Sequence, residues 1–350
     1  MTHRSGPVAE RFASHIASVE EASLSPLGVR SYGGAGRLRP DDEDCSLRTP
    51  FQRDRDRIVH CKAFRRLKQK TQVFIAPQGD HFRTRLTHTL EVSGIARGVA
   101  RALRLNEDLS EAIALGHDLG HAPFGHTGEE AIDRVLRRYD RRFRHNEHSL
   151  RIVDVLEHDG RGLNLTLEVR DGILNHTGAG LPSTFEGGIV RLVDRFAYVN
   201  HDIDDALRAG ILDERQLPPQ PVALLGDTAS ERIDALVHDL VEHSETAGEV
   251  HQSQPMAEAL LELRAFMFEN VYLGPIARRE TSAAADMVEA LLVHFIAAAD
   301  DLPGDGDDVT RATDWVAVQP STHWPAAQIF PSGQLSSARH STQLWVCAWQ

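Results

Sequence analysis

A chain of 350 residues, 41% hydrophobic and 25% charged, is long enough for one large domain or two modest ones. It has no apolar run near the ~20 residues of a membrane helix, and its net charge of −13 argues against general polyanion binding. Three cysteines, Cys45, Cys61 and Cys347, are spaced for neither a disulfide framework nor a thiolate metal site, so a reducing cytoplasm is expected and any metal must be held by histidine and carboxylate.

Residues 1–45 are polar and rich in glycine and proline, and read as a flexible arm; their start, MTHRSGPVAERFASHIASVEEA, lacks the apolar stretch of a signal peptide. The run RDRDRIVHCKAFRRLKQK (53–70) carries eight Lys/Arg against two Asp, and RVLRRYDRRFRHNEHSLR (134–151) is also basic. Such local patches on an acidic chain suit a small, highly charged anion better than a long nucleic-acid track. FRRLKQKTQVFIA (64–76) ends in the one strand-like run. Helical spacing then takes over. THTLEVSGIARGVARAL (87–103) sets Leu90, Val92, Ile95, Val99 and Leu103 roughly on one face. LSEAIALGHDLGH starts with Ser110 as N-cap and is loosened at its end by Gly116 and Gly120. GEEAIDRVLRRY, HNEHSLRIVDVLE, TLEVRDGILNH and GGIVRLVDRFAYVNHDIDDALRAG (187–210) follow, and together make a helical core over 46–211. A proline-bearing connector (212–229) leads into three further helical stretches within a carboxyl-terminal extension, 212–300. From 301 the chain turns polar, and after about 318 it loses helical periodicity, so 301–350 reads as an irregular, poorly ordered tail. The fold class is all-α.

Within this frame ALGHDLGHAPFGHTGEE (114–130) packs histidines and carboxylates between glycines and a proline, which neither helix propensity nor core packing requires. Of 19 histidines, eight fall between 60 and 148. Borderline divalent ions take imidazole and carboxylate ligands and leave positions open for water and substrate. Neighbours such as His117 and Asp118 diverge by about 100° on a regular helix, yet at a helix end beside Gly116 and Gly120 both can point into one cavity. Further ligands must come from other helices. His88 opens the preceding one, and Asp194, Tyr198, Asp202 and Asp205 share a polar stripe on a helix that is otherwise apolar.

RLTHTLEV, HDLGHAPFGHTGEEA and DRFAYVNHDIDDA, in that order, closely resemble the HD-domain metal phosphohydrolases. The flanking RTPFQRDRDRIVHCKAFRRLKQKTQVF and FRHNEHSLRI narrow the resemblance to the deoxyguanosine triphosphate triphosphohydrolase branch, over residues 48 to about 300. It implies an HD helical bundle with additional carboxyl-terminal helices, and a divalent ion (Mn, Fe, Co, Ni or Mg) on His88, His117, Asp118 and Asp202. It implies further that His126 is a catalytic histidine oriented by Glu129, that His121 faces the α-phosphate, and that Arg85, Gln72, His145 and Tyr198 meet the substrate. The reaction implied is hydrolysis of dGTP or any deoxynucleoside triphosphate to the deoxynucleoside and inorganic triphosphate. A homo-oligomer, a nucleotide effector, weak single-stranded nucleic-acid binding and no membrane partner also follow from it. Two alternatives stay open: the same centre acting on nucleoside monophosphates or a guanosine alarmone, and a nucleotide-sensing or nucleic-acid-binding protein with a residual metal site. One departure stands out: TDWVA (313–317) runs straight into VQPSTHWPAAQIF instead of the further helix that the resemblance leads one to expect.

Overall fold

The computed structural model describes residues 7–34, 36–40, 47–72, 83–272 and 275–318, and among them the chain is helical with two isolated bridges and no sheet. The amino-terminal part holds α1 (Pro7–Ser23), α2 (Pro50–His60) and α3 (Lys62–Arg66). The next helices are α4 (Arg85–Ala102), α5 (Glu107–Gly116), α6 (Gly125–Leu136), α7 (His145–Arg151), the short α8 (Glu157–Gly160) and α9 (Leu167–Asn175). The long α10 (Phe185–Arg208) precedes α11 (Pro219–Leu225), α12 (Ala229–Ala247), α13 (Gln254–Met267), α14 (Pro275–Ala297) and α15 (Asp308–Ala317).

Side-chain caps fix where the central helices begin. Thr84 and Thr87 close a reciprocal cap on α4, and Thr184 accepts the Gly187 N–H at the start of α10. The cap of α5 is Asn106, which accepts the Leu109 N–H, with Glu107 and Asp108 in the favourable first turn. Ser110, expected to play that part, lies buried inside the helix, because the NEDL start supplies both a better cap and the dipole-matched acids.

Two cores result. In the larger, Val92 and Val99 of α4, Leu109 and Ile113 of α5, and Val190, Val193 and Phe196 of α10 pack with Ile58 of α2 and Ile173 of α9. In the smaller, Ile132 and Val135 of α6 meet Val288 and Leu292 of α14 and Trp315 and Val316 of α15. The site described below lies in the segment that joins them, between α5 and α6.

Three expectations change. The first 45 residues are not a loose arm over their described part: α1 forms, Glu186 accepts N–H bonds from Val29 (3.0 Å) and Asn106 (2.9 Å), and Arg37 is buried against Asp54. The connector contains α11, whose Pro221 and Leu225 are buried. The region from 301 is not wholly irregular, since α15 buries Trp315 and Val316 in the second core. The strand-like residues 73–76 and the tail beyond 318 lie outside the described residues.

Gly120 shows how tightly this frame closes on the joining segment. A Cβ there would meet the Ser149 nitrogen at 2.1 Å and the His145 oxygen at 2.4 Å, both backbone atoms of α7. Gly120→Ala should therefore cost about 1–3 kcal/mol or more, as overpacking does, read as a lowered midpoint in chemical denaturation. An unchanged midpoint would mean that α7 is free to retreat.

Candidate metal centre and active site

His88, in the second turn of α4, and His117, the residue that ends α5, are both buried, as is Asp118. Their ligand-type atoms lie within 4.8 Å of one another. The helix ends at His117, so the divergence expected of adjacent helical residues does not arise: both His117 and Asp118 face one cavity. Ile173 explains why a glycine precedes them, since a Cβ on Gly116 would run into its Cδ1 at 2.6 Å. Asp194 of α10 stands against both histidines, with its Oδ1 at 3.1 Å from His88 Nε2 and 3.6 Å from His117 Nε2.

Hydrogen bonding fixes the tautomer of His117. Its Nδ1 donates to the Ala114 carbonyl at 2.6 Å, which turns the buried Nε2 towards Asp118 Oδ1 at 3.3 Å, with no hydrogen-bond partner. An imidazole with one nitrogen bonded to a carbonyl and the other free is the arrangement of a metal-ligating histidine. Burial alone would raise the carboxyls of Asp118 and Asp194. The neighbouring His117 outweighs it in both, helped by His121 and Arg85 at Asp118 and by His88 at Asp194, and holds them well below the usual range. Burial likewise works against a charge on His117, yet Asp118 and then Asp194 carry it up to about 9. A pocket of this kind demands positive charge, and its donor set fits a borderline divalent ion.

A second cluster adjoins the first. Asp118 Oδ1 is 3.3 Å from His121 Nε2, and the His121 ring stacks on His145 with centroids 3.9 Å apart. Glu129 Oε2 lies 2.9 Å from His145 Nδ1 and 3.4 Å from His126 Nδ1, while Oε1 accepts the His145 backbone N–H at 2.9 Å. Burial pushes Glu129 up, but the bonds to His126 and His145 prevail and keep it ionised far below its ordinary range. His126 itself is exposed, with 75% of its side chain accessible, as a group that must meet a ligand can be. Phe124 and Gly125, both at positive φ (62° and 57°), turn the chain so that α6 starts there and carries His126 and Glu129 a turn apart.

Sequence reasoning missed His176. It ends α9, donates from Nδ1 to the Ile173 carbonyl at 2.7 Å, and sets its Nε2 3.2 Å from that of His145. His145 Nδ1 already faces the Glu129 carboxylate, so the facing Nε2 atoms must share one proton. Burial and then the neighbouring His117 hold His176 down at about 3. The only signal in the sequence was a histidine closing a helical stretch.

Arg85 is buried and donates to Asp118 at 2.8 Å. Gly125 lets it approach, since a Cβ there would stand 2.8 Å from its Nη2. Gln72 Oε1 is buried without a partner. Tyr198, one turn after Asp194, accepts from Arg264 Nε at 2.6 Å. Of the basic run 62–70, Lys62, Arg65 and Lys68 point to solvent and Lys70 is buried near Arg85 and Asp118. The arginines of 134–151 are largely engaged internally: Arg134 with Glu289, Arg137 with Asp133, Arg141 with Asp307 and Arg151 with Asp314.

Residues 85–199 match the HD domain and 250–317 the phosphohydrolase-associated domain. A deoxyguanosinetriphosphate triphosphohydrolase-like protein of Caldanaerobacter subterraneus is 55% identical over 285 residues, covering 81% of this chain and 83% of the relative. Those of Desulfatibacillum aliphaticivorans (48%; 78% and 80% covered) and Clostridium perfringens (47%; 81% and 85%) are similar over the same extent. The chain belongs to the deoxyguanosinetriphosphate triphosphohydrolase-like family. It is thus an HD-domain hydrolase, of a class that binds divalent metal, and its buried His/Asp cluster could hold one. No helix among the described residues is long and apolar enough to cross a membrane.

The structure places one ligand expected from the sequence, Asp202, apart from the histidine cluster. Asp202 follows Asp194 by two turns on α10, about 12 Å along the axis at the helical rise, so both cannot reach one ion. The structure sets Asp194 against the two histidines, whereas Asp202 accepts the Tyr272 hydroxyl. Among this family's residues in α10, Asp194→Asn should weaken metal binding by at least the ~10–100-fold typical of losing a ligand's supporting partner, and Asp202→Asn should leave the metal content as in the unaltered protein. Metal analysis after dialysis reads both, and the reverse pattern would restore Asp202 to the ligand set.

Proposed function

We propose that this chain hydrolyses deoxynucleoside triphosphates at the α-phosphorus, releasing the deoxynucleoside and inorganic triphosphate. The observation that carries this reading is the junction at Asp118, whose Oδ1 lies 3.3 Å from both His117 and His121, so the metal-type cluster and the His126–Glu129–His145 cluster open on one space. A divalent ion held by His88, His117, Asp118 and Asp194 would polarise the phosphoryl oxygen and activate a water.

The chain's own groups do the rest. Attack by water makes the new P–O bond and breaks the bond to the 5′-oxygen, which takes a proton from His126 as it leaves. Ionised Glu129 holds that imidazole in place, and the Nδ1–H of His145 secures Glu129 from the other side. His121, which burial and then Arg85 keep neutral, and the Arg85 guanidinium face the transferred phosphate and the phosphates beyond it, where Arg85 supplies the charge-assisted bonds. Gln72 offers a buried, unsatisfied acceptor, and so does Asp202, whose Oδ1 has no partner. Asp202 and Tyr198 line one face of α10 below Asp194, a place suited to the sugar hydroxyl. Burial, reinforced by Asp205, raises the Asp202 carboxyl to about 8 even against its bond from Tyr272.

Two outcomes test the proposal. Incubation with each dNTP and Mn, Co or Mg should yield tripolyphosphate and deoxynucleoside in equal amounts, and none after chelation. Orthophosphate or pyrophosphate as the sole phosphate product would favour the monophosphate or alarmone reading. His126→Ala should lower kcat by about 10²–10⁴ with metal retained, the usual worth of a positioned acid. Unchanged turnover would remove His126 from the reaction.

A further inference from the structure

The turn from His117 to His121 carries Asp118 and His121 but has no regular structure to hold it. Beyond two backbone bonds, from the Leu119 N–H to the Gly116 carbonyl (3.5 Å) and from the His121 N–H to the Asp118 carbonyl (3.2 Å), its backbone is held by side chains. Ser149 Oγ accepts the Gly120 N–H (2.8 Å) and donates to the His117 carbonyl (2.7 Å). His148 Nδ1 donates to the Gly120 carbonyl at 3.3 Å, and the Lys70 ammonium donates to the carbonyl of His121. Lys70 and His148 each have a second contact, and both contacts lie on α15. Lys70 Nζ reaches the Ala317 carbonyl at 3.4 Å, and His148 Nε2 lies 3.4 Å from Asp314 Oδ1, a carboxylate that Arg151 grips at 2.7 and 2.6 Å.

Lys70 is 2% exposed, and among the described residues its acceptors are two carbonyls and no carboxylate. A buried ammonium in that state is costly unless other dipoles support it. Ala317 is the last residue of α15, where helical carbonyls lack intrahelical partners and the dipole is negative. The end of α15 thus helps to make Lys70 tolerable beside the nearer His121 carbonyl, and Lys70 is one of the ties between α15 and the turn.

From this we infer that α15, the last helix of the phosphohydrolase-associated region, positions the His117–His121 turn through Lys70 and the His148–Asp314 contact, and that turnover depends on this support. Lys70, His148 and Asp314 are positioning residues; none is assigned a contact with substrate. The inference gives the region 250–317 a part in the chemistry and rests on the function proposed above only for its kinetic consequence.

The test compares three variants of the full chain. Lys70→Met should reduce kcat about 10–100-fold, the scale of an ångström-size displacement at a reacting group. It should leave KM and metal content close to those of the parent, and hydrogen exchange should quicken in peptides covering 117–124 and nowhere else. Asp314→Asn should do the same more weakly, and it decides the matter if Lys70→Met fails to fold. Arg141→Ala, which cuts the exposed pairing of Arg141 with Asp307 at the start of α15, should change neither rate nor exchange in that segment. Parental kcat and exchange in folded Lys70→Met and Asp314→Asn would overturn the inference, as would exchange rising evenly through the chain. If the parent protein releases no tripolyphosphate, the proposed function falls, and the exchange data still decide whether α15 holds the turn.

Discussion

Two carboxylates buried against imidazole rings govern the rest of this structure. Asp118 and Asp194 are drawn together by His88 and His117, and leaving such a charge uncompensated costs about 3–5 kcal/mol. The fold tolerates that strain because α4, α5 and α10 are locked by a core whose members are almost wholly inaccessible, Val92, Ile113 and Phe196 among them. Rigid packing on three helices holds ligands that no single segment could bring together. The same packing makes the site selective for cations: it offers negative charge and free nitrogen donors where water is scarce.

Asp118 also links this centre to the acid cluster. It touches His117 on one side and His121 on the other, so a phosphate that approaches the metal-type ligands necessarily approaches His126. Glu129 then divides its two oxygens between His145 and His126, with His176 behind. The chain thus passes from a buried, charge-demanding pocket to an exposed imidazole, that of His126, within one turn and the start of one helix.

Much of this was legible in the sequence because it is local. Helical periodicity located α4, α5, α10, α12, α13 and α14, though not α2 or α15, and the GHDLGHAPFGH string announced a site whose glycines proved to be demanded by Ile173, Ser149 and Arg85. What could not be read depends on rotation and distance. Asp194 and Asp202 share a stripe, and only the rise of the helix separates the one that faces His88 from the one that meets Tyr272. His176 looked like an ordinary helix end until α9 set it against His145. The amino-terminal segment looked loose because its anchors, Glu186 and Asp54, are far away in the chain. The order of α15 rests on partners likewise remote, such as Ile132 and Val288.

The claim on which the account turns is the identity of the fourth ligand. Anomalous diffraction from crystals grown with manganese tests it most directly. The account predicts one strong peak at roughly 2.0–2.3 Å from Nε2 of His88 and His117 and from carboxylate oxygens of Asp118 and Asp194. A peak coordinated by Asp202, or no peak within reach of Asp194, would contradict it.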